Sequence, residues 1–204
     1  MPKLLSIGGY IAASVLVVLG LGMAIVGFVG RGYVLDALAD EQIVGTPDMT
    51  TDATAAAIKE AGLTGVSAPS CSVAGEEVDT GSEAKCFADY MRVHALEATA
   101  GKTYSQMPQY ATDDGKGTSD KAAATKGENG APVSNPARQI WVTQTALATA
   151  LNVSFFAEGV ALFAIVVGIA LLLVGIGFFV MVSVSRRREG AAAETEASAP
   201  AVTA

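Results

Sequence analysis

Residues 160–182 read VALFAIVVGIALLLVGIGFFVMV and contain no charged side chain. A helix of about 20 apolar residues is long enough to cross the hydrocarbon core of a bilayer, which is about 30 Å thick. A second apolar run occupies residues 4–29, and a long polar segment separates the two runs. The two runs together predict a protein that crosses a membrane twice.

The first apolar run also has to be compared with a secretory signal peptide. The apolar part of a signal peptide spans only about 7–15 residues and precedes a cleavage site with small residues. The run here is longer, and residues 29–33, VGRGY, lead directly into a helical pattern. We therefore interpret residues 4–29 as an uncleaved anchor, with a signal peptide as the alternative.

Basic residues beside the apolar runs predict the topology, because they resist translocation. Arg186, Arg187 and Arg188 follow the second run, and Lys3 precedes the first. We expect a plasma-membrane protein with both termini in the cytoplasm. Residues 31–154 would then lie outside, with 9 Lys and Arg against 16 Asp and Glu. Such an acidic segment is a poor binder of nucleic acid.

The predicted fold is an all-α membrane protein. Its two transmembrane helices extend as a helical stalk into a small, mostly helical extracytoplasmic domain. The predicted divisions are a cytoplasmic start at 1–3, spans at 4–29 and 155–184, an extracytoplasmic domain at 30–154, and a disordered cytoplasmic tail at 185–204.

Within the outer segment, helices are predicted at 48–62 and 82–100. Thr51 or Asp52 would cap the first, and Gly101 would end the second. Residues 111–130 offer almost nothing to bury, so we expect a mobile insertion there.

Cys71 and Cys86 both fall in the predicted outer segment, 15 positions apart. An oxidising compartment favours a disulfide between them, and closing a loop of this length stabilises a fold by about 3 kcal/mol. Two free thiols or a redox pair is the alternative. A metal site is less favoured, because two cysteines and the single histidine of the chain do not complete a tetrahedral set.

Both apolar runs carry small residues at helix-packing spacing, which allow helices to approach closely in lipid. These residues are Gly9, Ala13, Gly20, Ala24 and Gly27 in the first run and Ala161, Ala164, Gly168 and Gly175 in the second. The two stripes are predicted either to pack on each other or to leave one stripe for a partner subunit.

The second span is predicted to belong to a longer helix that begins at Asn135 and Pro136, a cap followed by proline at the first helical position. Four of its apolar residues, Ile140, Trp141, Leu147 and Leu151, would pack on the stalk that follows the first span. Arg138 would pair with Asp36, Asp40 or Glu41.

His94 and Glu158 are the weak ligand candidates of the chain. His94 is the only histidine, and neither a nucleophile partner nor a second histidine for iron accompanies it. A packed helix residue is therefore the preferred interpretation of His94. Glu158, at the outer end of the second span, is expected to be solvated or paired rather than a proton relay. No catalytic set and no cofactor are predicted.

Residues 90–104, YMRVHALEATAGKTY, and 141–147, WVTQTAL, with the span that follows, resemble a family of small two-pass membrane proteins from high-GC Gram-positive (actinobacterial) bacteria. Members of this family often carry the label aromatic ring-opening dioxygenase. For such an enzyme, iron would have to be recruited through His94 and a carboxylate such as Glu97 or Asp89.

Three classes of function follow from the residues and the resemblance. The preferred hypothesis is a non-catalytic accessory or assembly subunit that binds other integral membrane subunits. The resemblance suggests the respiratory chain as host, in a supercomplex of cytochrome bc complex and oxidase, and a transporter or a cell-envelope complex is the alternative host. The alternatives are the ring-cleaving enzyme and an extracytoplasmic sensor or ligand-binding protein. The lipid bilayer would surround the two spans. The residues do not decide between a monomer and a homo-oligomer.

Overall fold

The computed structural model describes the backbone of residues 3–197. This part of the chain is all-helical, with isolated β-bridges in place of strands. The predictions made for residues 1–2 and 198–204 lie outside the described residues. The chain divides into two compact units. Of the described residues, 3–32 and 160–197 form one, which we call the helix pair, and residues 33–159 form the other, which we call the disulfide domain.

Two long helices supply the helix pair. α1 spans Lys3–Asp40 and α4 spans Pro136–Ala197. Both are long enough and apolar enough to cross a membrane, judged by length and composition. Most of their large apolar side chains are exposed within the chain itself, including Val18 at 69% and Phe163 at 66%.

The end of α4 differs from the prediction of a disordered tail at 185–204 over the described part of that tail, residues 185–197. The helix continues through the three arginines as far as Ala197. Residues 190–197 read GAAAETEA, and alanine and glutamate have high helix propensity, which favours continuation of an existing helix. The low apolar content of the tail suggested disorder, but an established helix extends without needing a new nucleus.

The disulfide domain contains two helices between α1 and α4. α2 spans Thr51–Glu60 and α3 spans Gly81–Ala98. The N-cap of α2 is Thr50, whose hydroxyl accepts a hydrogen bond from Ala53, so the predicted caps Thr51 and Asp52 are both wrong by one or two positions. After α3 the chain turns through Ala100 and Gly101, which both have positive φ.

Three apolar clusters form the core of the disulfide domain. The first joins the end of α1 to α3 and α4 through Leu38, Ala84, Ala88 and Leu151. The second surrounds the disulfide. The third packs Trp141 on Ala95, Leu96 and Met107. Trp141 therefore packs on α3 and the loop after it and not on the predicted stalk, whereas Leu151 belongs to the cluster that contains Leu38, near the end of α1.

Residues 109–135 include the predicted mobile insertion at 111–130, and backbone hydrogen bonds organise this segment. Their backbones are joined by hydrogen bonds between Tyr110 and Thr118, between Ala111 and Val133, and between Thr125 and Val133. Ala124 is 6% exposed. Residues 111–130 have no apolar side chain larger than alanine, but backbone donors and acceptors of the segment satisfy one another across tight turns, which sequence composition does not reveal.

Candidate functional site

The predicted disulfide is present, with the Cα atoms of Cys71 and Cys86 6.1 Å apart. It ties the loop before α3 to the helix itself. Tyr90, one turn further along α3, is fully buried and donates a hydrogen bond from its hydroxyl to the carbonyl of Cys71. The bond and the tyrosine thus hold the same loop from two neighbouring turns of one helix.

The predicted helix-packing stripes meet each other within the helix pair. A Cβ atom on Gly20 would lie 2.7 Å from the carbonyl oxygen of Gly168, and one on Gly168 would lie 2.6 Å from the amide nitrogen of Ala24. Gly27 faces Ala161 in the same way. The first of the two predicted arrangements is therefore the one observed.

Close approaches between α1 and α4 continue along the stripe beyond Gly20 and Gly168. A Cβ on Gly175 would lie 3.1 Å from the carbonyl oxygen of Ala13, and one on Gly9 would lie 2.7 Å from a methyl of Val182. Ala164, the remaining predicted member, is half-buried. Gly8, Gly22 and Gly177 have open space around them. Among the described glycines of the helix pair, only those of the stripe stand where a Cβ atom would meet the opposite helix.

Polar and aromatic contacts also join α1 and α4 near Arg186, one of the three arginines that predict the topology. The hydroxyls of Tyr10 and Ser183 lie 3.1 Å apart, and the Tyr10 ring meets Phe179 edge-on at 5.1 Å. The guanidinium of Arg186 lies 6.0 Å from the Tyr10 ring centroid. Arg187 and Arg188 are exposed on the continuing helix.

Glu158 was expected to be either solvated or paired, and in the structure it is buried and hydrogen-bonded. It is 7% exposed, and its Oε2 accepts a 2.7 Å hydrogen bond from the backbone N–H of Gly81. Gly81 is the first residue of α3, where unpaired N–H groups and the helix dipole favour a negative charge. A Cβ on Gly81 would lie 2.8 Å from the Cα of Phe155, so this contact requires glycine.

A capping box at the same helix terminus was missed by the sequence analysis. The Thr80 hydroxyl accepts from the Glu83 N–H, and Glu83 Oε2 accepts from the N–H of Thr80 at 2.9 Å. Burial raises the pKa of Glu83, but the hydrogen bonds from Thr80 outweigh it and leave the pKa below its ordinary value. Hydrogen bonding to Glu83 and repulsion from it raise the pKa of Asp79. The pattern Thr-x-x-Glu at 80–83 was the available signal.

His94 lies between two carboxylates on the surface of α3. Its Nδ1 is 3.2 Å from Glu97 Oε2, and its Nε2 is 3.6 Å from Asp48 Oδ2. The Nε2 atom is buried without a hydrogen-bond partner. A hydrogen bond from the Thr46 side chain lowers the pKa of Asp48, and the nearby His94 acts in the same direction.

The two carboxylates considered for an iron site, those of Glu97 and Asp89, have different partners. Glu97 does contact His94, whereas Asp89 forms an ion pair with Lys85 instead. In the part of the chain that the structure describes, no three His, Cys, Asp or Glu side chains are grouped closely enough to hold a metal ion.

An apolar groove runs along α3 and α4 in the disulfide domain. It consists of two depressions of about 600 and 430 Å³ that share Met91. On α4 its lining includes Ile140, Gln144, Leu147 and Leu151, which recur every three or four residues on one helical face. Ile140 and Leu147 are 43% and 47% exposed. We call this feature the α3–α4 groove.

A polar cavity of about 530 Å³ lies at the start of α4 and contains Arg138. The guanidinium carbon of Arg138 is 3.9 Å from the ring centroid of Tyr104. Among the described residues Arg138 forms no ion pair, so the predicted partners Asp36, Asp40 and Glu41 are wrong. The sequence analysis missed Tyr104, because stacking between residues so far apart follows only from the turn after α3.

The capping of α4 follows the prediction. The side-chain oxygen of Asn135 accepts a hydrogen bond from the N–H of Ala137, and its side-chain nitrogen donates to the carbonyl of Pro108. Pro136 is the first helical residue. Comparisons of this chain with known protein families, with curated proteins and with solved structures find no match.

Proposed function

We propose that this protein is a non-catalytic accessory or assembly subunit of a larger membrane complex. The single observation that supports the proposal is the α3–α4 groove. An exposed apolar groove favours binding to another protein. The small-residue stripes of α1 and α4 contact each other and are therefore not free to bind a partner. The groove is the partner-binding surface in this proposal.

The occupant that best fits the groove is an amphipathic helix of a partner subunit. The lining residues Ile140, Gln144, Leu147 and Leu151 repeat along one face of α4, and three of the four are apolar, which is the arrangement by which helices bind in grooves. Glu41 is the charged residue of the second depression, and the surrounding segment is acidic. A partner helix with basic residues beside its apolar face would therefore complement the site.

The proposed setting is the plasma membrane, with α1 and α4 both crossing it. Arg186, Arg187 and Arg188 would hold the carboxyl-terminal end in the cytoplasm, and the disulfide domain would face the oxidising side. Other integral membrane subunits are then the natural partners. The family resemblance favours a respiratory supercomplex as host.

A pull-down from native membranes in mild detergent tests the proposal. Tagged full-length protein should recover a fixed-ratio set of membrane subunits, identified by mass spectrometry. Replacing Ile140 and Leu147 together by Gln should abolish recovery of those subunits. Val153→Gln is the matched control, because Val153 is 59% exposed on the same helix but does not line the groove.

The outcomes separate cleanly. Recovery that is lost in the groove variant and kept in the control supports the proposal. Recovery of the wild-type protein alone overturns it, and so does equal loss in both variants. If the recovered set contains cytochrome bc and oxidase subunits, the respiratory host is supported. A different set would replace that host and leave the accessory role standing.

The topology is tested separately in intact cells. A cysteine replacing Ser119 should react with a membrane-impermeant maleimide, whereas a cysteine replacing Ser185 should react only after the cells are opened. Both positions lie outside the α3–α4 groove, so the substitutions leave the proposed binding site intact. The reverse labelling pattern would refute the proposed orientation.

A further inference from the structure

The polar cavity beside the start of α4 shares Pro136 and Gln139 with the α3–α4 groove, but its other lining residues lie outside the groove. Its volume of about 530 Å³ lies in the range of about 300–1,000 Å³ that holds small molecules. Arg138 is the only charged residue that lines it, and hydroxyl and amide side chains make up much of the remainder. The lining thus suits a hydrophilic ligand.

Arg138 is held in place without being neutralised. One face of its guanidinium stacks on Tyr104 at 3.9 Å, which fixes the plane of the group. None of the ion pairs among the described residues involves Arg138, although its domain has a clear excess of carboxylates. It also occupies the first turn of α4, where the helix dipole disfavours a cation. Helix stability therefore does not explain its position.

The polar side chains around Arg138 are available to a ligand. Gln109, Tyr110, Ser134 and Gln139 line the cavity, and their side chains form no hydrogen bond with other described residues. Asn135 differs, because both ends of its amide are engaged by the backbone. That fixed amide anchors the wall, while its four neighbours offer donors and acceptors that suit hydroxyl groups.

We propose that this cavity binds a small hydrophilic monocarboxylate of the sugar-acid or hydroxy-acid class. The ligand carboxylate would accept two parallel hydrogen bonds from the fixed guanidinium of Arg138. Its hydroxyl groups would bind Tyr110 and the side-chain amides. A single cation in an acidic domain offsets one negative charge, which favours a monocarboxylate over a doubly charged phosphate.

Protection from arginine modification tests the site directly on the full-length protein in detergent. Phenylglyoxal modifies accessible arginines, and peptide mass spectrometry gives the rate at each position. D-glucuronate should slow modification of Arg138 by about tenfold, as expected for a bidentate charged pair. Arg92 should keep its rate, because it stacks on Trp141 and does not line the cavity. D-glucose and sodium chloride at the same ionic strength are the ligand controls.

Three outcomes would overturn the proposal. These are an unchanged rate at Arg138, equal protection by sodium chloride, and stronger protection by glucose 6-phosphate than by glucuronate. Calorimetry of glucuronate binding adds a second measurement. Arg138→Lys keeps the charge but loses the planar pair of donors and should weaken binding about tenfold, whereas Arg92→Lys should not. Equal binding by Arg138→Lys and wild type would also contradict the assignment.

Discussion

In the helix pair the closest contacts are between backbones, at positions such as Gly20 and Gly168, whereas in the disulfide domain side chains from three apolar clusters fill the interior. The helix pair leaves its large apolar side chains exposed, and the disulfide domain buries residues such as Tyr90 and Val73 completely. Hydrophobic burial stabilises a fold in water, but close backbone packing is what remains available in lipid. The two regions are therefore expected to respond to different substitutions.

The largest effect is expected from removing the disulfide. Cys71→Ser with Cys86→Ser should lower the free energy of unfolding of the disulfide domain by about 3 kcal/mol, because the unfolded loop gains entropy. Urea unfolding in mild detergent, followed by the fluorescence of Trp141, measures this, since Trp141 is the only tryptophan and lies in this domain. A reducing agent should destabilise the wild type equally and leave the double variant unchanged. An unaltered urea midpoint would contradict the prediction.

The helix pair should instead be sensitive at Gly168. Gly168→Leu places side-chain atoms where the α1 backbone lies and should weaken the packing by about 2 kcal/mol. Gly177→Leu, which enters open space, should have little effect. Trp141 fluorescence should report no change for either variant.

The readout for Gly168 is an engineered cross-link. A Cβ on Gly9 would lie 3.8 Å from the Cβ of Val182, a distance that suits a disulfide. Gly9→Cys with Val182→Cys should therefore oxidise within the chain, and Gly8→Cys with Val182→Cys should not. Adding Gly168→Leu should reduce the yield, measured by mass spectrometry of non-reduced peptides. Equal yields from the Gly8 and Gly9 pairs would disprove this packing.

A smaller effect is expected at the start of α3. Glu158→Ala removes the acceptor of the Gly81 N–H and should destabilise the disulfide domain by about 1.5 kcal/mol, because a buried donor is left unsatisfied. Ser82→Ala is the control, since Ser82 is exposed beside the same contact. Urea unfolding followed by Trp141 fluorescence applies again. If both variants unfold alike, the contact contributes nothing to stability.

The smallest effect concerns pH. The pKa of Glu83 is lowered in the folded protein, so its ionised form stabilises the fold at neutral pH, and this contribution disappears as pH falls below about 4.5. Glu83→Gln keeps an acceptor oxygen in the capping box and loses only the charge, so it should cost about 0.5 kcal/mol at pH 7 and little in acid. Glu128→Gln, at an exposed position, provides the comparison. A cost independent of pH would mean that charge is not involved.

Sequence patterns predicted some contacts well and others poorly. Cys71 and Cys86 were paired correctly, since no other cysteine exists in the chain. The glycines of the two stripes were also identified, but whether they faced each other or a partner could not be decided from one helix at a time. Arg138 was assigned carboxylate partners because opposite charges attract, whereas the fold brings Tyr104 to it instead.

The sequence by itself determined the two apolar helices, the disulfide pair and the cap at Asn135, because each depends on composition or on residues close together along the chain. Tertiary structure alone decided that the stripes pack on each other, that Glu158 binds the N–H of Gly81, and that Arg138 lines a polar cavity. Those contacts join residues far apart in the chain, and their geometry depends on how whole helices pack. Local periodicity identifies the face of a helix that packs, but not the element that this face meets.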